Sequence, residues 1–383
     1  MAEFPKKLEQ GLQKRKEDNS FRSLVPQQEG IDFFSNDYLG FSTLELLKKQ
    51  TEKNLKNHFK LGSTGSRLLS GNHPLFEKAE TYLANFHNSE AALIFNSGYD
   101  ANIGFFSAVP QKGDFIFYDE FSHASIRDGL KMSLARNYKF RHNDFQDLEE
   151  KLIRYSQSKS ADSEFYVVTE SVFSMDGDSP ELDKLIKLKK KYGLQLIVDE
   201  AHATGVIGRN GEGMVQEKKL EDHIFARIHT FGKALGCHGA VILGSQKLID
   251  YLVNFSRSFI YTTALSPHSV ATIMGAYQNL KNSEAIIKLQ ENIHFFRREI
   301  KKNELQQDFI ESNSAIQSCI IPGNERVKII SKKLNQNRFL VKPILSPTVP
   351  EGSERLRFCV HSYNSTAEIT AVLSQLATFV PKD

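Results

Sequence analysis

The middle of the chain alternates short apolar runs with stretches of helical periodicity. Apolar runs of strand length occupy residues 92–95, 115–118, 165–169, 194–198, 226–230 and 240–243. Helical patterns lie between most of them, including residues 74–86, 144–157 and 181–192. Strands separated by helices in this way are typical of crossover units. The pattern predicts an α/β fold with a mostly parallel central sheet, helices on both faces, and functional groups just beyond the carboxyl ends of the strands.

The two ends of the chain have a different pattern. Residues 5–20 form a polar helical stretch with a thin apolar stripe at Leu8 and Leu12. Near the other end, a charged helical stretch at 266–304 precedes shorter strand-like runs, at 315–321, 339–344 and 356–361. We therefore expect a smaller C-terminal α+β domain. The predicted division is an N-terminal segment at 1–45, a large domain at 46–275 and a small domain at 276–383.

Composition excludes several classes of protein. With 49 basic and 46 acidic residues the net charge is +3, so no large single-sign field favours nucleic acid as a partner. Three distant cysteines form neither a disulfide framework nor a metal-binding pair. No secretory signal and no apolar run of about 18 residues is present. These features predict a cytoplasmic protein of enzyme size.

The sharpest chemical signal is the segment VDEAHATG at residues 198–205. An apolar strand ends near Asp199, and His202 follows in a loop. A carboxylate at such a strand end can keep the ring nitrogen of pyridoxal 5′-phosphate (PLP) protonated, and His202 could bind the phenolic oxygen. A helicase box shares the letters DEAH, but it needs an upstream GxxxxGK[ST] loop that this sequence lacks. A capping aspartate in an ordinary turn is the other alternative.

A second apolar strand leads into HTFGKALG at residues 229–236. A Schiff-base lysine must be unhindered and partly desolvated, and Lys233 sits among small residues. Thr230 could bind a phosphate. A surface lysine in a glycine-rich loop is the simpler alternative. The pairing favours PLP, because Asp199 and Lys233 close neighbouring strand units 34 positions apart.

Further segments carry weaker signals. Asn96–Asn102 predicts a helix start with free backbone amides for an anion, or a simple strand–helix turn. His123 could stack on a flat cofactor or be structural. The glycine-rich loop at 61–67 resembles an anion-binding loop, or it forms a tight turn. The segment at 174–178 also reaches the sheet edge, or it forms an Asp-Gly turn. Neither an HExxH metal sequence nor a GxSxG elbow occurs, so no metal is expected.

Arg355 and Arg357 lie on a predicted strand near the C-terminus. Alternation places both on one face, where an arginine fork could hold a substrate carboxylate. A solvated strand face is the alternative.

Together these segments closely resemble the α-oxoamine synthases, a branch of the fold-type I PLP enzymes. The matching stretches are SNDYLG at 35–40, GSTGSRLLSG at 62–71, SHASIRDG at 122–129, SVFSMDGDSPEL at 171–182, VDEAHATGVIGRNGEG at 198–213 and TFGKALG at 230–236. The resemblance covers nearly the whole chain from about residue 8. One departure is Thr64, at a position where the family often has glycine.

The resemblance implies a role for each matching residue. The implied catalytic residues are Lys233, His123, Asp199 and His202. The implied PLP-binding residues are Gly98, Tyr99, Ser174, Asp199, His202, Thr230 and Lys233, with Thr262 and Thr263 lent across a homodimer interface to the partner's phosphate. The implied substrate contacts are Arg22, Asn36, His123, Thr348 and Arg357.

The activity implied by the resemblance is a decarboxylative condensation of an amino acid with an acyl thioester. The stretches at 259–267 and 342–357 are most similar to members that join L-alanine to a pimeloyl group on coenzyme A or a carrier protein, in biotin biosynthesis. Glycine with acetyl-CoA, or serine with a long-chain acyl-CoA, is the alternative within the family. Transamination and a catalytically silent binding protein are further alternatives, and the intact Asp199, His202 and Lys233 set argues against the last.

Overall fold

Helices and strands alternate along the chain much as the apolar pattern predicts. The structure, a computed structural model, describes residues 3–24, 26, 29–56 and 60–380. The helices are α1 Lys6–Glu17, α2 Glu45–Leu55, α3 Pro74–Phe86, α4 Gly98–Ala108, α5 Ala124–Met132, α6 Phe145–Ser156, α7 Leu182–Tyr192, α8 Met214–Glu217, α9 Gln246–Phe255, α10 Arg257–Ile260, α11 Pro267–Leu280, α12 Glu284–Lys302, α13 Asn324–Gln336 and α14 Thr366–Phe379.

The strands fall into three sheets. They are β1 Ile31–Asp32, β2 Ala91–Phe95, β3 Phe115–Asp119, β4 Arg136–Phe140, β5 Phe165–Glu170, β6 Leu194–Asp199, β7 Ala226–Thr230, β8 Ala240–Gly244, β9 Ile316–Ile320, β10 Phe339–Leu340, β11 Lys342–Ile344 and β12 Arg355–Cys359. The sheets contain seven, three and two strands. All six strands predicted in the middle of the chain are present, and they lie in the largest sheet.

The seven-stranded sheet has the order β2-β8-β7-β6-β5-β3-β4. The pairs β4–β3, β3–β5, β5–β6 and β6–β7 are parallel, and β8 is antiparallel to both of its neighbours. Helical connections return the chain between the parallel strands, as such pairing requires. The predicted mostly parallel sheet is therefore confirmed.

Helices cover both faces of this sheet because consecutive strand residues point in opposite directions. In β6, Ile197 packs into one apolar cluster with residues of α4, α5 and α9. Its neighbours Leu196 and Val198 pack into a second cluster with α6 and α7. Both faces are thus buried, which explains why the central strands are almost continuously apolar.

The chain divides into two units. The larger contains Asn36–Ser174 and Ser179–Lys288, and the smaller contains the described residues of Met1–Ser35, Met175–Asp178 and Leu289–Asp383. In the smaller unit, β9, β12 and β11 form an antiparallel sheet, and β1 pairs in parallel with β10. This unit is the predicted α+β part of the fold. The predicted division at residues 45 and 275 stays a prediction.

The helical stretch predicted at 266–304 is two helices. The structure ends α11 at Leu280 and begins α12 at Glu284. Between them Asn282 has a left-handed backbone with φ of 60°, which asparagine tolerates better than most residues and which a helix cannot contain. Among the described residues, no helix is both long enough and apolar enough to cross a membrane.

Candidate active site

Three neighbouring parallel strands of the larger unit end at the same edge of the sheet. The strand β5 ends at Glu170, β6 at Asp199 and β7 at Thr230. Register pairs Glu170 with Asp199, and it pairs Asp199 with Ile228, two residues before Thr230. Lys233 follows on the loop after β7 and is half-buried. The structure therefore gathers Asp199, Thr230 and Lys233 at the edge where ligands bind in open α/β sheets.

Asp199 is held by donors on both carboxylate oxygens. Its Oδ1 accepts the backbone N–H of Ala201 at 2.9 Å, and its Oδ2 accepts Nδ2 of Asn102 at 2.9 Å. Asp199 is 5 % exposed and Asn102, on α4, is 2 % exposed. A buried carboxylate with two fixed donors has one defined orientation.

A short chain of hydrogen bonds links Asp199 to His123. Asn102 Nδ2 also donates to Ser125 Oγ at 3.0 Å, and that hydroxyl lies 2.7 Å from His123 Nδ1. His123 caps the N-terminus of α5, where its Nδ1 accepts the backbone N–H of Ser125 at 3.2 Å. Desolvation lowers the pKa of His123, and the charge of Lys233 lowers it further while Asp199 opposes the shift. His123 therefore lies within electrostatic reach of both predicted PLP-binding groups.

Glu170 is a buried carboxyl group beside Asp199 that the sequence analysis missed. It is 3 % exposed, and its Oε1 accepts the backbone N–H of His123 at 2.6 Å. Burial raises the pKa of Glu170 to about 8, and the charge of Asp199 contributes in the same direction, whereas Lys233 and the His123 N–H oppose it. Glu170 is therefore mostly protonated at neutral pH.

His202 is held by a tyrosine from a distant part of the chain. The hydroxyl of Tyr38 lies 2.8 Å from His202 Nδ1 and donates to Asn36 Oδ1 at 3.1 Å. Tyr38 is fully buried and His202 is 5 % exposed. The structure thus brings together Asn36 and His202, two residues that the sequence analysis selected, through a third that it did not.

The N-terminus of α4 forms a cradle next to Thr230. Ser97 caps the helix by accepting the backbone N–H of Asp100 at 3.1 Å, and Gly98 and Tyr99 are its first residues. A Cβ atom built on Gly98 would lie 3.5 Å from Oγ1 of Thr230. Free backbone amides at a helix N-terminus and an adjacent hydroxyl suit an anion such as a phosphate. The Tyr99 hydroxyl donates to Asp128 at 2.9 Å. The predicted phosphate contact of Tyr99 would therefore come from its backbone N–H.

The segment that contains Thr262 and Thr263 packs beside this cradle within the same chain. Asn96 Nδ2 donates to Thr262 Oγ1 at 3.1 Å and to the Thr263 carbonyl at 2.7 Å. The next residue, Ala264, donates its backbone N–H to the carbonyl of Gly65 at 3.0 Å. This places the glycine-rich loop of 62–71 against the same segment.

The glycine-rich loop itself contains a strained residue. Thr64, which departs from the family pattern, has a φ of 57°. A β-branched side chain disfavours this left-handed conformation, so glycine would fit this backbone with less strain. Arg67 of the loop pairs with Glu80 at 2.8 Å, which favours a structural role for this arginine over binding of an anion.

Four further predicted residues lie in the two units. Ser174 is half-buried in the segment after β5, within the larger unit. Arg22, Thr348 and Arg357 belong to the smaller unit. Arg22 donates to Thr348 Oγ1 at 3.3 Å, and Arg357 is 7 % exposed on β12 with Nη1 3.0 Å from Cys359 Sγ. The functional roles of all four stay predictions.

Arg355 is not available for the predicted arginine fork. It is 4 % exposed and forms a buried ion pair with Asp176, and its Nε donates to the carbonyl of Ser353 at 2.9 Å. Because a buried arginine needs such a partner, Arg355 has a structural role in the smaller unit. The carboxylate-binding role predicted for this strand therefore rests on Arg357 alone.

Comparison with known proteins gives one matching family and relatives of similar length. The aminotransferase class I and II family matches residues 28–376. A putative 8-amino-7-oxononanoate synthase from Halalkalibacterium halodurans is 37 % identical, covering 98 % of this chain and 96 % of that protein. The 8-amino-7-oxononanoate synthase of Emericella nidulans is also 37 % identical, covering 100 % of this chain and 98 % of that protein.

Solved structures give the same grouping. Serine palmitoyltransferase from S. paucimobilis, with a bound PLP–myriocin aldimine, has a TM-score of 0.88 and 26 % identity, covering 98 % of this chain and 96 % of that one. The 8-amino-7-oxononanoate synthase of Francisella tularensis has a TM-score of 0.77 and 31 % identity, covering 91 % and 97 %.

The chain therefore belongs to the aminotransferase class I and II family, and its fold is that of the fold-type I PLP enzymes. Within that family it is one of the α-oxoamine synthase group, similar in sequence to proteins named 8-amino-7-oxononanoate synthase. The resemblance and the fold expected from the sequence are both confirmed.

Proposed function

We propose that this chain is a PLP-dependent acyltransferase that condenses L-alanine with a pimeloyl thioester. The products are 8-amino-7-oxononanoate, carbon dioxide and the free thiol. The observation that carries the proposal is the edge at which Asp199, Thr230 and Lys233 meet, in a chain whose relatives of this name match over nearly their full length.

The residues present fit PLP by their chemistry. Asp199 is a fixed, buried carboxylate suited to a protonated ring nitrogen. The α4 N-terminus and Thr230 suit a phosphate. Lys233 is a half-buried amine in the loop after β7, at the same edge of the sheet. When bound, PLP withdraws electrons from the α-carbon of the amino acid through its protonated ring.

The chain's own groups would hold the cofactor and move protons. Lys233 would hold the cofactor covalently, and its amine would serve as the base that removes the α-proton of the amino acid. Asp199 keeps the proton on the ring nitrogen. His123 would stack on the ring, while His202 and Ser174 would bind on the side of the phenolic oxygen. Asn102 and Glu170 support this set, because they hold Asp199 and the backbone of His123.

Substrate contacts are proposed for four further residues. Arg357 would hold the carboxylate of L-alanine, since guanidinium binds carboxylate in a bidentate geometry. Arg22 and Thr348, which hydrogen-bond each other, would contact the pimeloyl group. Asn36 would lie near the reacting atoms, next to the tyrosine that binds His202.

We also propose a homodimer with shared active sites, in which Thr262 and Thr263 contact the phosphate of the partner. Mixing Lys233→Ala chains with Thr262→Ala, Thr263→Ala chains tests this, because shared sites leave one intact site in each mixed dimer. Recovery of activity on mixing supports the proposal, and no recovery in verified mixed dimers contradicts it. A cytoplasmic location is proposed as well, supported by three free cysteines.

A second substrate pair is favoured by one observation. The serine palmitoyltransferase structure has a higher TM-score than the 8-amino-7-oxononanoate synthase structure, 0.88 against 0.77. Sequence identity favours the biotin-pathway reaction, at 31 % for the solved synthase against 26 %. Serine with palmitoyl-CoA is therefore the main competing pair.

The test is release of free thiol by the PLP-loaded protein. L-alanine, glycine and serine are each combined with pimeloyl-, acetyl- and palmitoyl-CoA, and pimeloyl-carrier protein is included as a donor. We expect release that needs both L-alanine and a pimeloyl thioester, and none from Lys233→Ala. The exposed Lys247 gives the matched control, Lys247→Ala, which should retain activity. Thiol release only with another pair would change the substrate assignment, and thiol release by Lys233→Ala would contradict the mechanism.

A further inference from the structure

His202 and Tyr38 form a buried pair whose hydrogen-bond directions are constrained. A tyrosine hydroxyl has one proton to donate, and its neighbours here include Asn36 Oδ1 at 3.1 Å and His202 Nδ1 at 2.8 Å. Asn36 Oδ1 can only accept. Donation to His202 would therefore leave two oxygen lone pairs facing each other at the Asn36 contact. Donation to Asn36 satisfies both contacts if His202 Nδ1 carries its own proton.

We propose that Tyr38, oriented by Asn36, is a positioning residue that keeps the ring proton of His202 on Nδ1. The Nε2 atom is then the nitrogen of His202 that takes up and releases a proton. A residue that fixes one ring nitrogen of a histidine decides the chemistry of the other. The orientation is rigid because Tyr38 is fully buried and His202 nearly so.

The catalytic consequence rests on the proposed function, although the protonation of Nδ1 does not. With PLP bound, His202 would present Nε2 to the phenolic oxygen, and it would donate there only after binding a second proton. The other titratable groups of this edge are Asp199, Glu170, Lys233 and His123, which influence one another's charge. Tyr38 therefore adjusts when His202 can act as a proton donor.

The chain offers a matched control for this pair. Tyr277 is a second fully buried tyrosine, and its hydroxyl lies 3.0 Å from His87 Nε2, with His87 fully buried as well. Tyr277→Phe removes a buried tyrosine–histidine hydrogen bond of the same kind. None of the proposed cofactor or substrate contacts is made by Tyr277 or His87, so this variant measures the structural cost alone.

The direct test is carbon NMR of the protein labelled at histidine, with and without PLP. The ring carbon shifts distinguish a proton on Nδ1 from one on Nε2, and His202→Gln assigns the resonance. We expect the Nδ1-protonated form in the unsubstituted chain. Tyr38→Phe should shift the His202 resonance toward the other tautomer, and Tyr277→Phe should leave it in place. An Nε2-protonated His202, or no shift in a folded Tyr38→Phe, overturns the inference.

A second measurement separates this inference from the proposed function. The absorbance of bound PLP is titrated with pH in each variant. Tyr38→Phe should move the titration midpoint, and it should not move it further in the His202→Gln background, because Tyr38 acts through His202. Equal shifts in both backgrounds overturn the inference. A protein that never binds PLP refutes the proposed function, while the NMR result for His202 still stands on its own.

Discussion

Replacing Asn102 with aspartate converts the donor beside Asp199 into a second carboxyl group of the same size. The two side chains are 2.9 Å apart, and both are buried. At an effective dielectric constant of about 20, two unit charges at that distance repel by roughly 6 kcal/mol. Such a pair cannot ionise fully at neutral pH and holds one proton between its two carboxyl groups. In the proposed site, Asp199 would then no longer supply a full negative charge to the ring nitrogen of the cofactor.

We expect Asn102→Asp to lower turnover by at least about 100-fold at pH 7.5, because a loss of about 3 kcal/mol of charge stabilisation corresponds to that factor. The assay is thiol release, with PLP affinity measured separately by absorbance. Asn54→Asp is the control, since Asn54 is a half-buried amide of the same unit that donates to the Ala271 carbonyl at 3.2 Å. The reasoning would be refuted if both the turnover and the PLP affinity of Asn102→Asp stayed within about twofold of the values of the unsubstituted protein.

Two further predictions concern stability. Burial raises the pKa of Glu170 to about 8, against about 4.3 in an unfolded chain. Between these two pH values Glu170 is protonated in the folded state and ionised in the unfolded state. The free energy of unfolding therefore falls as the pH rises from about 4.3 to about 8. The cofactor-free Glu170→Gln variant should therefore have a higher melting temperature than the unsubstituted protein, and the difference should be larger at pH 8 than at pH 5. A difference that does not depend on pH would contradict the raised pKa. Arg355→Met should cost roughly 3–5 kcal/mol in urea unfolding, because it removes the guanidinium that pairs with the buried carboxylate of Asp176. Adding Asp176→Leu should recover much of that loss, and a double variant as unstable as Arg355→Met would argue against the lost ion pair as the cause.

Most of the fold follows from local pattern, and the exceptions have physical reasons. The six central strands are predictable because both of their faces are buried, which leaves an almost unbroken apolar run. The edge strand β4 has one neighbour only, and its residues Arg136–Phe140 are mostly exposed and polar. It therefore has no apolar run to find. The break between α11 and α12 depends on the backbone of Asn282, which helical periodicity does not reveal.

The candidate site is predictable only where its residues follow a strand. Asp199, Thr230 and Lys233 could be selected because parallel strand ends share an edge. Glu170 ends a strand in the same way, and its position gave a signal that the sequence analysis did not use. Asn102 and Tyr38 act through partners 97 and 164 residues away, at Asp199 and His202, and only the folded chain brings those partners together.

The central claim is that Lys233 holds the cofactor opposite Asp199, and covalent labelling tests it most directly. The protein is loaded with PLP, reduced with borohydride and digested, and the peptides are mapped by mass. The account predicts one reduced cofactor per chain, attached to Lys233, and none in Lys233→Ala. Attachment to a different lysine, or equal labelling of Lys233→Ala, would contradict it.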